Sequence, residues 1–169
     1  GGELGVVEQG LDQRVFHVTH LRNLEGIVGA GGLVAGESPE VDFSSPLARE
    51  LRSSATVGEG GEQPVSAYVP WYLTPDAEVW NELRRGAAEP RWSAAARAAA
   101  SVDLVVLVST VKALGDLADG DIVVADGDAA GRAAADRGQG PRLCPAVRAA
   151  EEPAGLALFA VLLLRLRRV

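Results

Sequence analysis

Cysteine is almost missing from this chain. Cys144 stands alone, which excludes an intrachain disulfide framework and a multi-cysteine zinc site. Long apolar runs are missing too. The longest, residues 156–164 (LALFAVLLL), falls far short of the ~20 residues that span a bilayer. It reads as a buried strand or core helix, and no membrane partner is expected. The opening GGELGVVEQG has neither a basic stretch nor an apolar run, so no signal peptide is expected and the cytoplasm is the expected location. Basic residues are in deficit: 16 Lys+Arg against 23 Asp+Glu, a net charge of −7. That excludes a globally basic nucleic-acid binder. There is no P-loop, GxGxxG, GxSxG or HExxH pattern.

What remains is an ordinary globular composition, 47% hydrophobic and 23% charged over 169 residues. It suits one domain spanning 1–169 and excludes disorder throughout. Charge is uneven. Residues 1–62 carry four arginines and ten acids, whereas 131–149 carry Arg132, Arg137, Arg142 and Arg148 against Asp136 alone. A polyanion contact belongs in that second stretch, unless it is a solvated loop.

Residues 15–19 (VFHVT) alternate and predict a strand. Leu21, Leu24, Ile27 and Val28 have helical spacing over 21–30, and Gly31-Gly32 supplies a positive-φ stop. Ser45 and Pro46 open a short helix over 46–53. Residues 55–64 read as a flexible loop. Residues 65–73 (VSAYVPWYL) read as a strand in which Pro70 disfavours a central position. Helix is expected over 76–85 and helix or linker over 87–100. A buried strand is expected over 103–109, a helical turn over 111–119, a short strand at 122–125, a helix at 129–135 and a last strand at 156–166.

Five constellations could carry chemistry. His17 and Thr19 share a strand face, and His20 sits at the strand–helix junction with Asn23 beyond it. HxxH supplies only two ligands, so no metal is expected; a capping or core histidine is the plainer alternative. Arg49 and Arg52 share a helix face and could clamp a pyrophosphate, or be solvated. Tyr68, Trp71 and Tyr72 concentrate the scarce aromatics and could stack on a nicotinamide or nucleobase, or pack the core. Asp126-Gly127-Asp128 is a metal- or hydroxyl-binding pair, or a common turn. Glu151 and Glu152 precede the last strand, where alternation lets one of them enter a site.

In this order the pieces resemble the DarT-type ADP-ribosyltransferase toxins, which modify nucleobases of single-stranded DNA using NAD. The resemblance rests on FHVTHLRNLEGIVGAGGL (16–33), the arginine-bearing 46–57, Val69-Pro70-Trp71-Tyr72, Asp126-Gly127-Asp128-Ala129 and Ala150-Glu151. It implies an α+β ADP-ribosyltransferase fold, a split mixed sheet with helices around an NAD cleft. It also implies that His17 and Thr19 contact the nicotinamide riboside. Asn23, Gly31, Gly32 and Leu33 would line the NAD pocket, and Tyr72 would stack near nicotinamide. Arg52 would serve the phosphates or the reaction centre, and Glu151 would be the catalytic glutamate, with Glu152 the alternative. NAD is then a substrate and no metal is required. The implied acceptor is single-stranded DNA, with RNA, protein or a small molecule as alternatives, and a degenerate NAD-binding module as the reading of another class. A macrodomain-type antitoxin and a monomeric state are implied as well. Where the family carries an R-S-P-like segment, this chain reads Thr74-Pro75-Asp76-Ala77.

Overall fold

The computed structural model describes residues 12–36, 38–57, 63–88, 90–125 and 161–166. The expectations for 129–135, Asp126-Gly127-Asp128, the arginines of 131–149, Glu151 and Glu152 lie outside the described residues.

Strand β1 (Arg14–His20) is the pivot of a five-stranded sheet. Its partners are β4 (Val69–Tyr72), β5 (Leu104–Thr110), β6 (Ala118–Ala125) and β7 (Val161–Leu166). The order is β5-β1-β4-β7-β6, and every described pairing is antiparallel. A separate ladder joins β2 (Thr56–Val57) to β3 (Gln63–Pro64). The loop expected over 55–64 is therefore closed at its ends by strand pairing. The α+β class stands, and so does the division of the sheet. β1 matches β5 along all seven of its residues but meets β4 at the single pair Phe16↔Tyr72. Beyond that pair the two strands diverge.

Pro70 corrects one expectation, because β4 is the middle strand of the sheet. In an antiparallel strand, a residue's N–H and C=O point to the same neighbour. The Pro70 carbonyl faces β1, where it meets the His17 ring, so its hydrogen-free nitrogen faces β1 too. The ladder has already opened there, and the missing donor costs nothing. β5 is the second correction. It was expected to be buried, yet it is an edge strand with Val106 and Val108 46% and 57% exposed. An uninterrupted apolar run does not distinguish an edge from a centre.

Alternation along β1 feeds two cores. Val18 packs with Trp80, Leu83, Trp92 and Ala96 on one face, and Val15 with Val69, Trp71 and Leu114 on the other. The first core is closed by α3 (Glu78–Arg84) and α4 (Ala94–Ala98), the second by α5 (Val111–Leu117). The 87–100 stretch thus resolves into a short helix, capped by Ser93 accepting from the Ala96 amide.

After β1 comes a 3₁₀ turn (Leu21–Asn23) and then α1 (Leu24–Gly29). The apolar stripe expected there is not buried: Leu21 is 51% and Val28 79% exposed. α1 is fixed at its ends instead. Its exit is a complete Schellman closure, with Gly31 N–H donating to Val28 O (3.1 Å) and Gly32 N–H to Ile27 O (2.9 Å). Gly31 has φ +77°, a region that costs an L-residue ~1–2 kcal/mol. A Cβ there would meet nothing within 4 Å, so strain alone decides the substitution. Gly31→Ala should lower unfolding free energy by ~1 kcal/mol, measured by urea denaturation; an unchanged midpoint would show that the αL turn is not formed in solution.

Candidate active site

The opening between β1 and β4 is bridged by one side chain. His17 lies in β1, and its Nδ1 donates to Pro70 O across 2.8 Å. A carbonyl can only accept, so the hydrogen is on Nδ1 and the lone pair is on Nε2. Burial lowers the His17 pKa. The Pro70 hydrogen bond opposes that shift, and the Arg52 charge adds to it. The ring is therefore neutral at pH 7, and it rests against Trp71 with centroids 5.6 Å apart.

Arg52 comes from α2 (Pro46–Ser54), whose start follows the sequence: Ser45 accepts from the Ala48 amide and Pro46 occupies the first turn. The two arginines of that helix separate as their charge partners dictate. Arg49 is held by Asp42 at 2.7 Å and reaches Ser44 O. Arg52 has no carboxylate at ion-pair distance among the described residues. Among the described residues its one hydrogen bond is a long one to Tyr68 O at 3.5 Å. A half-buried guanidinium with so little to hold can take an anionic ligand.

Both side chains open on a cleft of about 1010 Å³, at the upper end of the ~300–1,000 Å³ usual for small-molecule sites. His17, Thr19, Asn23, Gly32, Leu33, Arg52 and Tyr72 all line it. Gly31 does not, and contributes by turning the chain. Thr19 and Asn23 are buried and bonded to each other, Asn23 Nδ2 donating to Thr19 Oγ1 at 3.0 Å. The Tyr72 ring packs edge-on against Trp80 with centroids 4.9 Å apart. His20 takes the capping role: its Nδ1 accepts from the Arg22 amide. No group of three metal-ligating side chains exists among the described residues, and no helix among them is long and apolar enough to cross a membrane.

Sequence reasoning missed the outer wall of the cleft. Residues 40–44 form it together with Trp80, Glu82 and Trp92. These residues carry no motif. Only scarcity marks the tryptophans, two of three in the chain.

The family model described as "ssDNA thymidine ADP-ribosyltransferase, DarT" matches residues 16–143. Among solved structures, Thermus sp. 2.9 DarT in complex with ADP-ribosylated ssDNA superposes with a TM-score of 0.62 at 20% identity, covering 92% of this chain and 76% of that one. The same Thermus protein in complex with NAD+ gives 0.57 at 22% identity, and with carba-NAD+ 0.54 at 20%, with the same coverage in both. No curated protein sequence matches significantly. The structural likeness establishes the ADP-ribosyltransferase fold. The family model spans most of the chain, including the cleft residues from His17 to Tyr72, and the chain accordingly belongs to the DarT family of ssDNA thymidine ADP-ribosyltransferases.

Proposed function

We propose that this protein transfers ADP-ribose from NAD to a nucleobase of single-stranded DNA, the whole chain serving as one catalytic domain in the cytoplasm. The observation that carries the reading is the pairing of a neutral imidazole with a guanidinium lacking an acidic partner among the described residues, on the two walls of one dinucleotide-sized cleft. Family membership supports NAD as the donor, and the Thermus complexes with NAD+ and with ADP-ribosylated ssDNA support both substrates. The toxin role, with a macrodomain-type antitoxin as partner, belongs to the same proposal.

The roles follow from the chemistry of each group. With Nδ1 committed to Pro70, His17 offers Nε2 as an acceptor for a ribose hydroxyl. Thr19 offers its hydroxyl hydrogen beside it. Arg52 offsets pyrophosphate charge. Leu33 and the Gly31-Gly32 turn shape the wall, and Tyr72 provides an aromatic surface for nicotinamide. Breaking the nicotinamide–ribose bond develops positive charge on the sugar, as in glycoside hydrolysis. A carboxylate stabilises that charge or takes the proton from the attacking base nitrogen, and Glu151 is assigned that part. The acceptor test is direct. Labelled NAD should mark single-stranded DNA with wild-type protein and not with Glu151→Gln. Labelling of RNA or protein in place of DNA would overturn the acceptor, and full activity of Glu151→Gln would transfer the role to Glu152 or remove it.

His17→Ala should weaken NAD binding at least tenfold, or ~1.4 kcal/mol, by calorimetry; unchanged affinity in a folded variant would exclude the contact. His17 also carries a pH signature. Its folded pKa lies below the unfolded value of ~6.5. Between the two values the unfolded chain binds more protons, so this contribution to stability is present above the unfolded pKa and is lost as pH falls toward the folded one. His17→Gln should therefore lose less stability than wild type between pH 7.5 and 5.5. An identical loss in both would show that the ring is not buried neutral.

Arg52→Ala should abolish nicotinamide release, whereas Arg49→Ala, which removes an exposed ion pair worth ~0–1 kcal/mol, should keep most of it. Equal losses would indicate a general electrostatic effect.

A further inference from the structure

The wall formed by Glu40–Ser45 is a strap held from two sides. On one side is Asn23, buried at the end of the 3₁₀ turn. Its Nδ2 donates to Val41 O (2.9 Å) as well as to Thr19 Oγ1, and its Oδ1 accepts from Val41 N–H (2.8 Å). Both amide hydrogens and the amide oxygen are thus used within the protein. On the other side is the segment leading into α4. Ser93 Oγ donates to Asp42 O (2.6 Å), Ser93 N–H donates to Phe43 O (2.8 Å), and Ser45 N–H donates to Arg91 O (2.8 Å), around the bridge Ser44↔Trp92.

The strap runs without interruption into α2. Ser45 is its last residue and the helix cap, buried at 7% exposure. Asp42, in mid-strap, accepts from the Ser44 amide and pairs with Arg49 on that helix. Wherever the strap sits, α2 begins, and Arg52 projects two turns later. Ser93 is not among the described residues lining the cleft, so its bonds to the strap, not a direct contact, connect it to a bound ligand.

We infer that Asn23 and Ser93 are a pair of positioning residues: together they place the strap, and through the Ser45 cap they aim the Arg52 guanidinium into the cleft. The inference rests on the NAD reading for its functional consequence, but its structural half stands apart. Asn23 then acts on NAD through the strap, since its amide hydrogens are already bonded within the protein. The neutral amide is required as such. A carboxylate at position 23 would still accept from Val41 N–H and from the Thr19 hydroxyl but would face Val41 O without a donor.

The test is a pair of coupling cycles read by NAD calorimetry. Ser93→Ala and Asn23→Ala should each lower affinity about tenfold, because a small displacement of a charged group is costly in a preorganised site. In the Arg52→Ala background either change should cost less than about twofold, because residues acting through one element are not additive. Ser93→Thr, which keeps the hydroxyl, should restore affinity. Wild-type affinity in Ser93→Ala, or losses that multiply with Arg52→Ala, would overturn the inference. Amide exchange at Val41 reads the anchors without any ligand and should accelerate in both single variants; unchanged exchange would equally overturn it. A wild-type protein that binds no NAD would refute the proposed function, whereas unaltered Val41 exchange would refute the strap.

Discussion

One hydrogen bond crosses the place where the sheet comes apart. β1 and β4 share a single paired position and then separate, and the His17 ring reaches over the gap to the Pro70 carbonyl. Much of the site depends on that substitution of a side chain for a ladder. It lets proline occupy the middle strand. It commits Nδ1 and so leaves Nε2 as an acceptor. By itself it favours the charged ring, but burial and the nearby Arg52 charge oppose it and the His17 pKa is lowered. A continuous ladder here would close the cleft; an unbridged gap would leave a buried carbonyl unpaired, at ~1–3 kcal/mol.

The second organising feature is how few groups face the cleft without an internal partner. Asn23, Asp42 and Arg49 are occupied by the protein itself. Among the described residues Arg52 has only a long contact to a backbone oxygen. Ion pairing therefore sorts two arginines on one helix face into one tethered to Asp42 and one with no carboxylate among the described residues. The acidic character of the whole chain is no obstacle to binding an anion, since the local balance around one guanidinium decides it.

Much of this was legible in the residues. VFHVTH forms a strand, Gly31 takes the left-handed turn, and Ser45-Pro46 starts the helix, each because a local preference acts unopposed. The order of the motifs singles out Arg52, and both Arg49 and Arg52 line the cleft. The failures share a cause: they concern what lies beside an element rather than the element itself. Pro70 is in a central strand because the neighbouring strand has departed. The valines of β5 are exposed because nothing described packs over their face at the sheet edge. α1 has a helical apolar stripe that no core covers. The 40–45 strap is a loop. Its anchoring by Asn23 and Ser93 joins positions 18 and 51 residues apart, and no local pattern encodes that.

The two histidines offer the most direct test of the central claim, because the structure gives them opposite hydrogen placements. His17 donates from Nδ1, whereas His20 accepts at Nδ1. Nitrogen-15 spectra of the imidazoles at neutral pH should show one neutral ring protonated at Nδ1, assigned to His17 by its loss in His17→Gln. Adding NAD should shift the Nε2 resonance of that ring and leave its Nδ1 bonded to Pro70. A His17 ring protonated at Nε2, or one that NAD saturates the protein without perturbing, would contradict the account of the gap between β1 and β4 as the NAD site.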